Sequence, residues 1–483
     1  MTTALFFALF CAFFLFLSFL ESRRNRSLED FCLAGRSASG WSAGLSIATS
    51  SIGASATLGV CGLAFQAGFP AVWWLFSGAI GLAISAVFLV DRIRAEKPVT
   101  LLGAIRRKAG GATAKTAGLV ILAAWTGILA AQFSAMGRIL SALGAGELSG
   151  ILGLPGISAE TTALAAGAIL IVAVTLLGGQ RAVIRSDVYQ SLVMAAGLGL
   201  LFVSLLSDPA LPRASEFFTS VPFELLNEDF GAADWAEFML LIGGSYLVCP
   251  MLAARFLAAG SRRDARIAAG VGIGSLVAAA LLMALLGIAA RAFIPAGTPP
   301  DAVLPALVET RSPFFGALFL FVMTSAVISS ADSCLMTAAT VAALDLAGRP
   351  SIRATRAAAL ALSIAAFAAA LSGKGVLELL LAANALYVCG VVPVAFAALL
   401  SKRPLHAWLA SGAIAAGSLL GAAAAFDAFE SVPKLALYGA GFATALLLAA
   451  FAAFRAKPEP QPKHEAKCAL CRAASSAKAP ESL

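Results

Sequence analysis

Charged residues are scarce in this chain of 483 residues: Asp, Glu, Lys and Arg together make up 12% of it, whereas hydrophobic residues make up 60%. The mean hydropathy is correspondingly high, at +0.91. A soluble protein of this size needs far more polar surface to cover its core. The scarcity of charge therefore excludes a soluble protein and indicates an integral membrane protein surrounded by the lipid bilayer.

Histidine is almost missing, since His406 and His464 are the only two in the chain. The metalloprotease pattern H-E-x-x-H and the phosphate-binding Walker loop are both absent. Outside the apolar stretches, no segment is long enough to form a soluble domain with its own core. We therefore predict that the protein is not an enzyme and that it uses neither an organic cofactor nor a transition metal.

Long apolar stretches recur along the chain, each close to the roughly 20 residues that cross a bilayer core of about 30 Å as a helix. Ten-residue segments of alternating polarity, which are typical of membrane β-barrels, are missing. The sequence therefore predicts an all-α polytopic membrane protein with about thirteen transmembrane helices. The predicted spans are 3–20, 41–64, 70–90, 115–141, 160–178, 188–206, 235–256, 266–290, 313–345, 355–372, 376–400, 406–425 and 434–454.

Basic residues concentrate on alternate loops, as in the clusters 23–26, 106–108 and 262–266. Cytoplasmic loops of membrane proteins carry the excess of Lys and Arg, so this pattern predicts an N-terminus outside and a C-terminal tail in the cytoplasm. The net charge of +8 then reflects membrane topology, and we expect no nucleic-acid partner. The short loops and Ala-rich spans suggest a bacterial inner membrane.

The C-terminal tail, residues 457–483, is predicted to be disordered and cytoplasmic. It contains one C-x-x-C pair, Cys468 and Cys471, with His464 nearby. A structural zinc site needs about four ligands, so these residues alone do not predict one.

Two predicted spans look interrupted. The second holds a central Thr49-Ser50-Ser51-Ile52-Gly53, which favours helix formation poorly, and the seventh holds Gly243-Gly244 followed by Pro250. If each opens a five-helix unit, the two units run through the membrane in opposite senses and form an inverted repeat with discontinuous first helices. The predicted organisation is 1–40 for an extra helix and loop, 41–206 for the first repeat, 207–400 for an outside loop and the second repeat, and 401–456 for two final helices.

The ninth span carries unusually many hydroxyls in TSAVISSADSCLMTAAT, residues 324–340. Ser329 or Ser330 shares a helix face with Ala326, opposite the interrupted second span, and neutral oxygen ligands suit a hard cation such as Na⁺. We expect Ser333 and Thr340 instead to bond back to carbonyls of their own helix. Asp332 lies on another face, where we expect a structural or gating role.

Four stretches resemble the sodium:solute symporter family: FCLAGRSASGWSAGLSIATSSIGA (31–54), GGQRAVIRSDVYQSLVM (178–194), RFLAAGSRRDARIA (255–268) and SAVISSADSCLMTAATVAALDL (325–346). A weaker fifth is VVPVAFAALLSKRPLHAW (391–408). The resemblance covers most of the membrane region in family order. It implies thirteen or more helices, an outside N-terminus, two inverted five-helix repeats, and Na⁺ as the ion that drives transport of a small-molecule solute.

The same resemblance implies which residues bind the sodium ion and which bind the solute. The sodium site would comprise the carbonyls of Thr49, Ile52 and Ala326 and the hydroxyls of Ser329 and Ser330. Solute selection would involve Ser51, Ser55, Ala56, Trp73, Trp74, Cys249, Met251, Asn384 and Tyr387. This chain departs from the sugar carriers, because Ser51, Cys249 and Met251 stand where relatives have more polar groups. A polyol would leave hydroxyls unpaired there, so a carboxylate or an amino-acid-like solute is favoured over a sugar.

Two alternatives remain open at the level of sequence. The chain could be a transporter-like sensor that signals through its cytoplasmic tail, or a carrier coupled to protons rather than Na⁺. Against the proton, the sequence suggests no isolated histidine or acidic pair facing the proposed ion site.

Overall fold

The computed structural model describes residues 2–95, 97–142, 158–211, 214–372, 376–426 and 432–455. All regular elements in these ranges are helices, which confirms the predicted all-α class. Nineteen α-helices are described in chain order: α1 (Thr2–Ser22), α2 (Leu28–Leu33), α3 (Gly40–Ser51), α4 (Val60–Ala67), α5 (Trp73–Phe88), α6 (Val90–Arg94), α7 (Leu101–Ala142), α8 (Ala159–Leu206), α9 (Ala214–Ser220), α10 (Ala232–Phe238), α11 (Gly244–Leu247), α12 (Pro250–Ala258), α13 (Arg262–Ala290), α14 (Pro300–Glu309), α15 (Pro313–Thr340), α16 (Ile352–Ala370), α17 (Val376–Leu400), α18 (Ala407–Ala425) and α19 (Lys434–Arg455).

Within the described ranges, ten helices are long and apolar enough to cross a membrane, or eleven if the bent pair formed by α3 and the helix after it is one span. The apolar part of α1, Phe7–Ser22, is shorter than that limit. The predicted number of thirteen therefore stays a prediction. The boundaries of the five predicted segments also stay predictions. The predicted tail, 457–483, with Cys468 and Cys471, lies outside the described residues.

Two connections between predicted spans contain helix in the structure. The predicted spans 160–178 and 188–206 both lie in α8, which consists of two helical segments that meet at a kink at Gly179, with φ of 64° and ψ of −166°. At about 1.5 Å per residue, the segments 159–178 and 180–206 measure roughly 30 and 40 Å, so each is long enough to cross the bilayer core. The connection between the predicted spans 70–90 and 115–141 also contains helix, since α7 begins at Leu101 and changes direction at Gly110. In both places a positive-φ glycine makes the bend without a loop.

The first predicted interruption is confirmed. Helix α3 begins after the Ser39 side-chain cap and ends at Ser51, and Ile52 has a non-helical φ of −97° and ψ of 60°. A π-helical turn, Ser55–Gly59, and then α4 continue the span after a bend of 66°. The G-x-S-x-G spacing at 40–44 lies within α3 and not at a strand-to-helix turn, so it is not a hydrolase nucleophile elbow.

The second predicted interruption is confirmed in the matching helix of the second unit. After α10, a π-helical turn Met239–Gly243 leads into the short α11. Val248 and Cys249 then leave helical geometry, and Pro250 begins α12. Proline suits this place because the first helical residue needs no amide donor. Backbone polar groups are thus released from helical bonding in the middle of both spans.

Helix α13 packs closely along the first broken helix. A β-carbon added at Gly40 would lie 2.7 Å from Ile267, and one added at Gly44 would lie 2.5 Å from Val271. On α13 itself, a β-carbon at Gly272 would lie 2.7 Å from Ile47. At these three places the glycine backbone of one helix packs directly against a side chain of the other.

Arginine side chains tie together the segments on the face richer in basic residues. Arg36 donates to the carbonyls of Lys97 and Pro98 at 2.8 and 2.9 Å, and Arg94 donates to that of Ala259 at 2.9 Å. These bonds connect the stretch before α3, the α6–α7 connection and the end of α12. On the opposite face, Arg311 bonds to Asp208 at 2.5 Å. The hydrogen bond from the Ala210 amide, together with the bond from Arg311, lowers the pKa of Asp208.

Helix α15 lies at the centre of the fold, because every side chain from Val322 to Thr340 is buried. The hydroxyl-rich stretch thus faces other helices on all sides, including α3, α7, α8 and α12. Its polar groups are enclosed by protein, which is where polar groups in a membrane span are expected to have a role.

Candidate ion and solute site

Helix α15 touches the interruption of the first broken helix through Ser330. The Ser330 hydroxyl donates to the Ser50 carbonyl at 3.0 Å. A β-carbon at Gly53 would lie only 2.5 Å from the Ser330 oxygen, so glycine at 53 is what allows this approach. The contact predicted between the two segments is therefore present, and it falls at the non-helical residues.

Oxygen atoms at this contact have incomplete hydrogen bonding. Among the described residues, no backbone amide donates to the Ile52 carbonyl, and the Thr49 carbonyl receives a long bond of 3.3 Å from the Ile52 amide. The Ser329 hydroxyl is fully buried beside the Asp187 carboxyl, yet it forms no hydrogen bond of good geometry with a described residue. Ala326 lies in the same core cluster as Ile52. Buried oxygens in this condition are suited to a bound cation.

A buried arginine lies next to this contact. Arg255 on α12 is fully buried and donates to Ser46 at 3.0 Å, to Asp187 at 3.5 Å and to the Ser333 hydroxyl. The Ser46 hydroxyl in turn donates to Asp187. The expected bond from Ser333 to its own helix is thus wrong, because Ser333 meets a guanidinium instead. The corresponding expectation for Thr340 is correct, since its hydroxyl bonds to Met336 O at 2.7 Å.

A second carboxylate, Asp332, is buried close to the first. Thr175 on α8 donates to one Asp332 oxygen at 2.5 Å, while the other oxygen has no partner among the described residues. One oxygen of Asp187 is also without a partner there. Asp332 is near enough to Asp187 and Arg255 to interact electrostatically with both. The sequence-based statement that no acidic pair faces the ion site was therefore wrong.

These two carboxylates and one guanidinium leave one negative charge in excess if all are ionised. Burying an uncompensated charge is costly, so either a cation or a proton must accompany the pair. The sequence offered a signal for this cluster: Arg255 is a basic residue within the predicted span 235–256, and such residues in membrane spans are rarely without function.

A cavity of about 90 Å³ lies between the two interruptions. Six of the nine predicted solute-binding residues line it, whereas Ala56, Trp73 and Tyr387 do not. The six are Ser51, Ser55, Trp74, Cys249, Met251 and Asn384. No Asp, Glu, Lys, Arg or His is among the described residues that line it.

The other three have different surroundings. Ala56 is fully buried, and the Trp73 indole donates to the Leu225 carbonyl at 2.8 Å beside Trp235. The buried Tyr387 hydroxyl donates to the Val248 carbonyl, which belongs to the second interruption. Tyr387 therefore supports the backbone of the cavity from behind.

Helix α7 contributes polar groups that the sequence did not single out. The indole N–H of Trp125 and the side-chain carbonyl of Gln132 are buried, line the cavity and have no hydrogen-bond partner among the described residues. Tyr246 also lines the cavity and packs against Gly78. An amide within the apolar span 115–141 was the available signal for Gln132.

Curated relatives of this chain are membrane transporters. It is 25% identical over 349 residues to the sodium/pantothenate symporter of Haemophilus influenzae, covering 68% of each chain. It is 27% identical over 347 residues to the sodium/pantothenate symporter of Escherichia coli, covering 66% of each chain.

Among solved structures, the substrate-bound, outward-open Na⁺-coupled sialic acid symporter is similar, with a TM-score of 0.76, 15% identity, and coverage of 95% of this chain and 99% of that one. This likeness concerns the fold, which is that of transporters with two inverted repeats. The model of the family described as "Sodium:solute symporter family" matches residues 31–421. The chain therefore belongs to the sodium:solute symporter family, whose members are transporters that use Na⁺ as the coupling ion.

Proposed function

We propose that the protein is a symporter in which an inward sodium gradient drives uptake of a small carboxylate or amino-acid-like solute by alternating access. In this proposal the N-terminus lies outside and the tail lies in the cytoplasm of a bacterial inner membrane. The observation that carries it is the contact of Ser330 with the Ser50–Gly53 interruption, because it joins the hydroxyls of α15 to backbone oxygens released from helical bonding.

The ion would be held by the carbonyl oxygens of Thr49, Ile52 and Ala326 and the hydroxyls of Ser329 and Ser330. All five groups are neutral oxygens, which a hard monovalent cation prefers. Without a net charge among the ligands, binding remains reversible, as transport requires. Since the ligands come from both α15 and the first broken helix, an ion that binds them all favours the conformation in which the two segments touch.

The solute would occupy the cavity that begins at the same interruption. Among described residues, the Gly53 amide has no backbone acceptor, and Gly53 lines the cavity, so this amide is available to a carboxylate. Neutral partners such as Trp125 and Gln132 suit an amphiphilic molecule better than a polyol. The relatives named for pantothenate handle a solute that carries a carboxylate, which agrees with this class. Ion and solute would thus stabilise one backbone conformation of 50–54, and this is the basis of coupling.

The test is thermal unfolding of the detergent-purified protein in NaCl, KCl and choline chloride at equal ionic strength, followed by carboxylates, amino acids and sugars in NaCl. A ligand that binds only the folded state raises the unfolding midpoint. We expect a rise specific to Na⁺ that a carboxylate or amino acid enlarges. Equal midpoints in the three salts, in folded protein, would contradict the sodium site.

Ser329→Ala sharpens the test, because it removes one hydroxyl ligand and leaves the helix intact. We expect it to lose the sodium-specific rise and the sodium stimulation of uptake. Ser363→Ala is the matched control, since the Ser363 hydroxyl is buried and bonds only to Ala359 O of its own helix, at 2.8 Å. A Ser329→Ala variant that keeps the sodium response would exclude Ser329 as a ligand.

Proton coupling is a second proposal, favoured by the Asp187–Asp332 pair facing the single guanidinium of Arg255. A proton on Asp332 would remove the excess charge and could move with the solute. The sensor alternative depends on residues 457–483, which lie outside the described residues. Removing that tail distinguishes it, because a carrier keeps uptake and a sensor read through its tail loses its output.

A further inference from the structure

A second cavity, of about 310 Å³, lies at one end of the membrane helices and shares no lining residue with the solute cavity. It is bounded by α6, by the first turns of α7 and by the end of α17 with the connection that follows. Its lining comprises Arg92, Ala95, Ala104, Arg107, Lys108, Leu399, Leu400, Ser401 and Lys402. The lining combines apolar Ala and Leu side chains with four basic side chains.

The described side chains that line this cavity carry charge of one sign. Arg92, Lys108 and Lys402 come from three different elements, and no carboxylate is among the described lining residues. None of these three side chains forms a salt bridge with a described residue, and the Arg92 guanidinium donates only to the Phe88 carbonyl, at 2.7 Å. The nearby Asp91 is engaged by Arg266. Like charges gathered around one cavity repel each other, so an anion placed between them relieves that repulsion.

The surroundings of the cavity are those of a membrane surface. Val87 and Phe88, which end α5 just before Arg92, are 77% and 51% exposed although both are apolar. Trp408, in the first turn of α18, is 77% exposed, and the adjacent Ala407 lies against Gly110 of α7. Exposed apolar side chains at a helix end face lipid, and tryptophan is enriched at the level of the headgroups. Positive charge and lipid-facing surface thus meet at this cavity.

We propose that the cavity bounded by Arg92, Lys108 and Lys402 binds the phosphate of an anionic phospholipid, such as phosphatidylglycerol or cardiolipin, with the acyl chains lying along Val87 and Phe88. Basic pockets between membrane helices on the cytoplasmic side suit such headgroups. A free phosphate shares the headgroup chemistry, but the apolar rim favours the lipid. The bound lipid would fasten the start of α7 to the α17–α18 connection.

The test compares the purified protein in nanodiscs of phosphatidylcholine alone with nanodiscs that contain phosphatidylglycerol, and counts bound lipid by native mass spectrometry. At about 1 kcal/mol per basic residue, the double variant Lys108→Gln/Lys402→Gln should bind phosphatidylglycerol roughly 30-fold more weakly. The control Arg263→Gln/Arg353→Gln removes two exposed basic residues of the same face that do not line the cavity, and it should bind as the parent does.

Three results would overturn the proposal. Equal losses in the two double variants would mean that surface charge in general attracts the lipid. Equal binding by the parent and the Lys108→Gln/Lys402→Gln variant would mean that the cavity is not the site. Inorganic phosphate at millimolar concentration that displaces all bound phosphatidylglycerol would indicate a site for free phosphate. The outcome is independent of the sodium site, because the two double variants leave α3 and α15 unchanged.

Discussion

The Arg255 guanidinium donates a hydrogen bond to the Ser333 hydroxyl, and both side chains are completely buried. This bond joins α12, the second half of the second broken helix, to α15, the helix that carries the proposed sodium ligands. Through Asp187, the same guanidinium also reaches α8 and, through Ser46, α3. Arg255 therefore connects both broken helices with α8 and α15.

Removing this arginine should destabilise the protein severely. In Arg255→Met the Asp187 carboxylate loses its buried partner, and breaking such a pair typically costs about 3–5 kcal/mol. Arg255→Lys keeps the charge but lacks the planar fork, so we expect an intermediate loss. Thermal unfolding measures both. The double variant Arg255→Met/Asp187→Asn should recover part of the stability, and no recovery would mean that Arg255 acts through packing alone.

Gly53→Ala should abolish the sodium response without unfolding the protein. The added β-carbon would lie 2.5 Å from the Ser330 oxygen, so either the side chain or the backbone must move away from the proposed ligand position. The sodium-specific rise of the unfolding midpoint is the readout. Gly274→Ala is the control, because nothing lies within 4 Å of a β-carbon there. A normal sodium response in Gly53→Ala would show that close contact at this point is dispensable.

Gln132→Leu should weaken solute binding and spare the ion. The Gln132 side-chain carbonyl lines the cavity without a partner, and loss of one hydrogen bond to solute is worth about 1–1.5 kcal/mol, or roughly tenfold in KM. Uptake kinetics at saturating sodium give the KM. Gln66→Leu, at an exposed position away from the cavity, serves as the reference. An unchanged KM in Gln132→Leu would remove this residue from the solute site.

Asp332→Asn tests the proton alternative. An asparagine oxygen can still accept the Thr175 hydrogen bond, whereas the negative charge and the titration disappear. If a proton on Asp332 takes part in transport, uptake in this variant loses its dependence on external pH while folding is retained. The exposed Asp301, paired with Arg138 at 3.5 Å, provides the control Asp301→Asn. The same pH profile in Asp332→Asn and the parent would exclude Asp332 as a coupling group.

The sequence was sufficient for the helices and their interruptions because these depend on local chemistry. The run Thr49–Gly53 has poor helix propensity and Pro250 lacks an amide donor, so a break near each could be predicted. The hydroxyls of Ser329 and Ser330 could likewise be placed on one helix without knowledge of its neighbours.

The buried charges could not be predicted in the same way, because they depend on contacts between residues far apart in sequence. Asp187 and Arg255 are 68 positions apart, and Thr175 and Asp332 are 157 apart. The family resemblance drew attention to the stretches that contain Asp187, Arg255 and Asp332. Neither the helical periodicity of the sequence nor its composition indicates which of these side chains contact each other. Tyr387 illustrates the same limit, since it was predicted to contact solute and instead holds the Val248 carbonyl.

The close packing of Gly40, Gly44 and Gly272 between α3 and α13 restricts which motions can expose the cavity to either side. Two helices whose glycines pack against side chains of the partner at three points cannot slide past each other without collisions, so we expect them to move as one rigid body. Spin labels attached to α3 and α13 would therefore report a constant separation throughout the transport cycle. Spin labels on α13 and α15 would report the movement, because the sodium ion would bind between α15 and the first broken helix, against which α13 packs.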